Sequence, residues 1–260
     1  MSDPKKLVVA SDFHYPHYDP ITQHNFDHFL SEFKPDILVI NGDFLDFSPI
    51  SHFDKHPAEP RSISDEILGG RDFLRRKAEL VGPNCKRHFN AGNHEDRLRK
   101  YLWNRAPELS ELEGVSLPSL LELQKSGYSY TPYYDPIHGS PDRSPGIDLD
   151  GLLVTHGSIA RKWSGYSARA HYERYGGSGI HGHTHRIGSF YHRDYRGEYV
   201  WIEGGCMSYI DPNYVTVPDW CQGFTAGWIF PKGKKATARF DIHPVPIIHH
   251  KFVWEGIKYG

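Results

Sequence analysis

Five short apolar runs in this chain each stop abruptly at residues that can bind a metal or a phosphate. KLVVASDFH ends at Asp12 and His14, DILVINGDFLD at Asp43 and Asp46, and KRHFNAGNHED at Asn93, His94 and Glu95. GLLVTHGS ends at His156, and GSGIHGHTHR ends at His181, His183 and His185. Short, continuous apolar runs are what strands covered on both faces require. Segments of helical character separate several of them. DPITQHNFDHFLSEF carries Ile21, Phe29 and Phe33 at helical spacing behind a proline, and SDEILGGRDFLRRKAEL and EDRLRKYL also read as helices. SARAHYERYGG reads as a further helix, with Ser167 as N-cap and Gly176 as its stop. In open α/β sheets ligands gather outside the carboxyl ends of the strands. Five successive strand ends bearing polar ligands therefore predict an α/β fold with one functional site at a sheet edge.

The C-terminal third has a different pattern. RIGSFYHRDYRGEYVWIEGG, GFTAGWIF, KATARFDIHPV and PIIHHKFVWEG alternate apolar and polar residues between glycines, which predicts antiparallel strands completing a second sheet. No linker interrupts the 260 residues, so a single domain over 1–260 is expected. The apolar runs are far too short to span a bilayer and the N-terminus lacks a signal-peptide core, so a cytoplasmic address without membrane contact is expected. Cys85, Cys206 and Cys221 form neither a disulfide framework nor a Cys-x-x-Cys site.

A net charge of −2 argues against bulk electrostatic coating of nucleic acid. The distribution is uneven, with 11 acids against three bases from Asp12 to Glu66 and ten bases against four acids from Arg71 to Arg105. Such runs read first as solvated helix faces.

Asp12, His14, Asp43, Asn93, His156, His183 and His185 together offer carboxylate, amide oxygen and imidazole but no thiolate. That mixture suits Mn²⁺, Fe²⁺, Zn²⁺, Co²⁺ or Ni²⁺ better than Ca²⁺ or Cu⁺. Seven ligands exceed one tetrahedral site, whereas two divalent cations sharing a carboxylate account for them. Metals paired at about 3.5–4 Å clamp in-line displacement at phosphorus and turn a bound water into hydroxide near neutral pH.

Asp-x-His at Asp12–His14, Gly-Asp-x-x-Asp at Gly42–Asp46, Gly-Asn-His-Glu at Gly92–Glu95, the strand-end His156, and Gly-His-x-His at Gly182–His185 occur in this order. The ordered set resembles the calcineurin-like metallophosphoesterases, in particular small bacterial and phage-encoded members. The resemblance implies a four-layer α/β/β/α sandwich and a hydrolase with two divalent metal ions, Mn²⁺ first among them. It implies that Asp12, His14 and His185 hold one metal, that Asn93, His156 and His183 hold the other, and that Asp43 bridges them. It leaves His94 outside the metal shell, stabilising the phosphate or protonating the leaving oxygen, with Asp46 holding its imidazole. Phe47 and Ser48 stand where the protein Ser/Thr phosphatases carry Arg-Gly, which disfavours that branch. His17, His181 and Arg186 lie near ligands without matching ligand positions.

Gly177–Gly182 formally satisfies the dinucleotide-binding Gly-x-Gly-x-x-Gly pattern, with Glu203 about 20 residues on. It follows a helix and runs into ligands, the reverse of what that motif requires. Two long segments, SPISHFDKHPAEPRSIS and GYSYTPYYDPIHGSPDRSPGID, are expected to wall the site. The second carries Tyr128, Tyr130, Tyr133 and Tyr134, and the basic residues Arg97, Arg99, Lys100, Arg161 and Lys162 follow ligand blocks. Aromatic faces beside cations suit stacked bases and phosphates, so the expected substrate is a phosphate ester, leaning to a nucleotide or nucleic-acid phosphodiester. A small-molecule phosphomonoesterase is the alternative, and a non-catalytic metal-binding scaffold the third reading.

Overall fold

The computed structural model describes residues 3–52, 62–133, 146–210, 218–230 and 239–260. Strand β1 (Lys5–Ala10) is followed by helix α1 (Pro20–Phe33), β2 (Ile37–Asn41), helix α2 (Ile63–Val81) and β3 (Lys86–Asn90). After α3 (Asp96–Arg105) and the single turn α4 (Leu117–Leu120), β4 (Tyr128–Thr131) joins the edge of the same sheet. Strands β1 to β4 run parallel. A second sheet is built from β5 (Ile147–Leu149), β6 (Leu152–Thr155), β7 (Ser178–His181), β8 (Ile187–Asp194) and β9 (Gly197–Gly204), with helix α5 (Tyr166–Tyr175) between β6 and β7.

Alternation along the strands accounts for the layering. Leu7, Val9, Ile37 and Val39 of the first sheet pack against Leu152, Val154, Ile180 and Ile202 of the second. Val8, Ala10, Leu38 and Ile40 point the other way, onto Phe26, Phe29, Leu30 and Phe33 of α1 and Phe73 and Leu74 of α2. Helix α5 covers the outer face of the second sheet, where Tyr175 and His171 stack on Trp201. The order is helices, sheet, sheet, helix, the expected four-layer α/β/β/α sandwich. Each strand of the centre is covered on both faces, which is why its sequence is apolar without interruption.

Helix α1 begins where Asp19 accepts hydrogen bonds from the backbone N–H groups of Ile21 and Thr22, with Pro20 at the first helical position. Ile21, expected on the apolar face, is exposed. The N-cap of α5 is Gly165, with φ +80°, two residues before the expected Ser167. The Ser167 hydroxyl instead accepts from the Arg161 N–H and is buried. Gly176 ends the helix as expected, its N–H donating to the Tyr172 carbonyl.

The C-terminal strands do not all join one sheet. The β8–β9 hairpin completes the second sheet, but β10 (Gly223–Phe230) and β11 (Arg239–Pro246) extend the first, with β10 antiparallel to β1. The last strands, β12 (Phe252–Trp254) and β13 (Ile257–Tyr259), form a separate hairpin whose aromatic rings pack on Phe29. Nor is the acidic run simply a solvated face, since Asp12, Asp19, Asp43 and Glu66 are buried. Cys85 and Cys206 are buried thiols and Cys221 is an exposed one. No helix among the described residues is long and apolar enough to cross a membrane.

Glu66 shows what one of these buried acids does. It lies in the first turn of α2 and accepts the N–H of Phe47, fixing the turn that carries Asp46. Burial pushes its carboxyl up from 4.5 to about 7, beyond what the Phe47 hydrogen bond recovers. The folded state therefore binds more protons than the unfolded chain between these values, and stability falls as pH rises from about 4.5 to 7. A glutamine keeps the acceptor and removes the buried charge. Glu66→Gln is expected to raise unfolding stability at pH 8 by on the order of 1–2 kcal/mol and to leave it unchanged near pH 4.5. Urea denaturation at the two pH values checks this, and an equal or lower midpoint at pH 8 contradicts it.

Candidate metal centre

Strand registers bring the ligand-bearing ends level. Asn41 pairs with Asn90 across β2 and β3, and Thr155 with His181 across β6 and β7, so the following residues of both sheets emerge at one edge. Backbone hydrogen bonds then join the loops. The N–H of Asp12 donates to the Gly42 carbonyl (3.0 Å), that of His14 to the Asp43 carbonyl (3.0 Å), and that of Gly182 to the His156 carbonyl (3.0 Å). Between sheets, the Asp12 carboxylate accepts the His183 N–H at 3.0 Å. The Asp43 carboxylate accepts the His94 N–H at 2.8 Å.

Close approach explains the motif glycines. A Cβ on Gly92 would lie 2.2 Å from the Asp43 Oδ1, one on Gly182 2.5 Å from the Asp12 Oδ2, and one on Gly42 2.5 Å from the His156 Nδ1. Each glycine is the space in which a candidate ligand sits. The backbone itself is held in an unusual state, with Asp12, His14, Asp43, His183 and His185 all at φ between 46° and 70°. Left-handed non-glycine residues cost free energy and cluster where surrounding structure imposes them for function.

The side chains form two groups that meet at Asp43. Asp12, His14 and His185 each present a ligand atom within 4.8 Å of the others, as do Asp43, His156 and His183. In the first group the Nε2 atoms of His14 and His185 are 3.0 Å apart and the His185 Nε2 is 3.2 Å from the Asp12 Oδ1. In the second, the His156 Nε2 is 3.3 Å from the Asp43 Oδ2 and 3.2 Å from the Asn93 Oδ1. His14 and His94 form a third set with Asp43, within the same 4.8 Å. All seven expected ligands thus converge.

The donor set fits divalent cations. Carboxylate and amide oxygens and imidazole nitrogens face one another with no lysine or thiol among them, and the His183 Nδ1 is buried without a hydrogen-bond partner. Burial holds the His14 and His183 imidazoles down at about 4, neutral and able to ligate. Burial opposes ionisation of Asp12 and Asp43, but the neighbouring histidines outweigh it, holding Asp12 at about 2 and Asp43 well below the usual carboxylate range. His156 differs: against the effect of burial, Asp43 pushes it up to about 10, a proton with which a cation must compete. Its Nδ1 is anchored 2.9 Å from the Asn41 carbonyl oxygen, which leaves Nε2 for the centre.

His94 and Asp46 stand beside the ligands. The His94 Nδ1 lies 3.2 Å from the Asp46 Oδ1 and 3.0 Å from the Asp46 carbonyl oxygen. The same Oδ1 is 3.3 Å from the His14 Nδ1, so Asp46 reaches two imidazoles where one was expected. The His94 Nε2 is 3.8 Å from the Asp43 Oδ2 and accepts from the Arg97 guanidinium at 2.8 Å.

Three residues of this neighbourhood had no role assigned from sequence. Glu95, quoted only as the end of Gly-Asn-His-Glu, is buried and accepts N–H groups from Asp43, Leu45 and Gly92, clamping two ligand loops together. Glu203, noticed only as the acid of a rejected dinucleotide pattern, accepts from the Thr184 hydroxyl and the Gly165 N–H and so fixes the His183–His185 loop. Trp220 packs edge-on against His185 with ring centroids 4.1 Å apart. His181 stacks on His171 at 4.0 Å, away from the ligand groups, and Arg186 pairs with Asp219. His17 is exposed, joined to the site only through its N–H on the His14 carbonyl.

The expected walls are only partly aromatic platforms. Tyr128 and Tyr133 are buried in the core, and the Tyr133 ring meets His156 edge-on at 6.1 Å. Tyr130 is partly buried against Phe89. Tyr134 and residues 53–61 lie outside the described residues.

The chain is similar to known proteins over most of its length. The sequence model of the calcineurin-like phosphoesterases matches residues 5–187. The Gene 54 protein of Mycobacterium phage D29 is 27% identical over 274 residues, covering 96% of this chain and 99% of the phage protein. The Gene 54 protein of Mycobacterium phage L5 is 28% identical over 193 residues, covering 71% of this chain and 70% of its own. Among solved structures, Vps29 of Chaetomium thermophilum is similar at 11% identity and a TM-score of 0.43, covering 92% of this chain and 96% of that one.

Proposed function

The chain belongs to the calcineurin-like phosphoesterase family, and from that premise we propose that it hydrolyses a phosphate ester at a centre of two divalent cations. The observation that carries the reading is the presence of two three-residue ligand groups, Asp12, His14 and His185 and Asp43, His156 and His183, linked by a third set in which His14 and Asp43 meet. Asp12, His14 and His185 would hold one cation, Asn93, His156 and His183 the other, and Asp43 both. Bound there, the cations would polarise the phosphoryl oxygens and lower the pKa of a coordinated water.

The chain's own residues orient and complete that chemistry. Asp46 holds the imidazoles of His14 and His94 through their Nδ1 atoms, which points the His94 Nε2 toward the centre. With Nε2 protonated and its contact with Arg97 given up, His94 would touch the phosphate or protonate the leaving oxygen from that nitrogen, and Arg97 beside it would add positive charge. Glu95 and Glu203 keep the ligand loops in register.

The substrate reading leans to a phosphodiester of nucleotide or nucleic-acid type, supported by the cations Arg97, Lys100, Arg161 and Lys162 that follow the ligand blocks. The buried positions of Tyr128 and Tyr133 remove two stacking faces from that argument and favour the second reading, a small-molecule phosphomonoesterase. Turnover of bis-p-nitrophenyl phosphate and p-nitrophenyl phosphate by the Mn²⁺-loaded protein separates them. The diester is expected to be cleaved at least as fast as the monoester. Cleavage of the monoester alone overturns the diester reading, and cleavage of neither overturns the hydrolase.

A further inference from the structure

A cleft of about 540 Å³ opens between the turn that follows Asp46 and helix α3, which follows His94. Ile50 and His52 form one side, and Arg97, Lys100, Tyr101 and Arg105 the other. Among the described residues no carboxylate lines it. Asp96, at the start of the helix, is buried and engages Arg99 and Lys100 at once, so one carboxylate answers two cations there. Arg97 is the wall shared with the metal centre. Arg97 donates to the His94 Nε2 at 2.8 Å and to the Asp46 carbonyl oxygen at 2.7 Å, and neither of these acceptors is a carboxylate.

Arg97 and Lys100, one helical turn apart, with Arg105 further along the same helix, are suited to a phosphate group, whose oxygens accept several charge-assisted hydrogen bonds. The partly exposed Tyr101 ring on the same rim offers an apolar face next to them. We propose that this cleft is a subsite for a second phosphate of the substrate, one sugar removed from the scissile ester. The proposal rests on the reading of the metal centre as a phosphoesterase. It assigns the substrate to phosphate esters with at least two phosphate groups, as in an oligonucleotide or a nucleoside bisphosphate. Arg97 sets the boundary between the two phosphates, and Lys100 and Arg105 serve only the second.

The test compares two esters with one leaving group, thymidine 5′-(p-nitrophenyl phosphate) with and without a 3′-phosphate. The native protein is expected to show a KM about tenfold lower for the ester with the second phosphate. In K100A/R105A that ratio should fall toward one. A ratio near one in the native protein, or a tenfold ratio that survives in the double variant, overturns the proposal. Calorimetric binding of thymidine 3′,5′-bisphosphate decides the matter independently of turnover: loss of binding in the double variant supports the subsite, and equal binding or none in both proteins contradicts it. If neither ester is hydrolysed, the reading of the metal centre fails while this binding arm still answers for the cleft. A dinucleotide with a 5′-phosphate, cleaved with the same ratio, extends the assignment to nucleic acid, and its failure restricts it to mononucleotides.

Discussion

Asp43→Asn is expected to leave a folded protein that has lost one or both cations and at least about 10³-fold in kcat. The Asp43 carboxylate belongs to one ligand group and lies within ligand distance of His14 of the other, with its Oδ2 3.3 Å from His156 and its Oδ1 held by the His94 N–H. An amide keeps the shape and the N–H acceptor but removes the negative charge and one of two equivalent ligand oxygens. A neutral bridge weakens binding at both sites together. A 10³-fold loss corresponds to about 4 kcal/mol of transition-state stabilisation, within what a metal clamp supplies. Circular dichroism should be unchanged while elemental analysis shows fewer than two metals per chain. A variant with both metals and near-native turnover would show that Asp43 does not bridge.

The second large effect is expected at His94. Its imidazole touches Asp46, Arg97 and the Asp43 carboxylate, but in the proposed arrangement it ligates neither cation. His94→Ala should therefore retain close to two metals while kcat falls about 10²–10⁴-fold, the range of a lost general acid or base. Loss of a metal in this variant would move His94 into the ligand set, a possibility the geometry keeps open because His14, Asp43 and His94 also lie within ligand distance of one another. Asp46→Asn distinguishes positioning from catalysis, since it should disturb both His14 and His94 and so affect metal content and kcat together.

Much of the centre was legible because each ligand lies in sequence directly after the strand that carries it. Asp12, Asp43, Asn93, His156 and His183 needed no knowledge of distant contacts, only of where a parallel strand stops. The glycines were legible only as chain neighbours of candidate ligands, because the groups they make room for, His156 at Gly42, Asp43 at Gly92 and Asp12 at Gly182, are distant in sequence. What sequence did not reveal was non-local. Strands β10 and β11 joined the first sheet because β1 presents a free edge for antiparallel pairing, a choice that no property of GFTAGWIF encodes by itself. Glu66 read as part of a solvated acidic run, Glu95 as the end of a motif and Glu203 as the acid of a rejected pattern, and only the folded chain shows their carboxylates buried against backbone N–H groups. Tyr128 and Tyr133 read as site walls because they lie in a long polar segment. The burial of Tyr128 follows from β4 pairing with β3, which turns its ring into the core, and Tyr133 joins the same core just beyond the strand.

The central claim is that two cations sharing Asp43 make this chain a phosphoesterase. Titration of Mn²⁺ into chelator-treated protein, with turnover of bis-p-nitrophenyl phosphate followed at each addition, tests it most directly. The account predicts no turnover at zero metal and a rise that saturates at two ions per chain. Full turnover in the metal-free protein would contradict it.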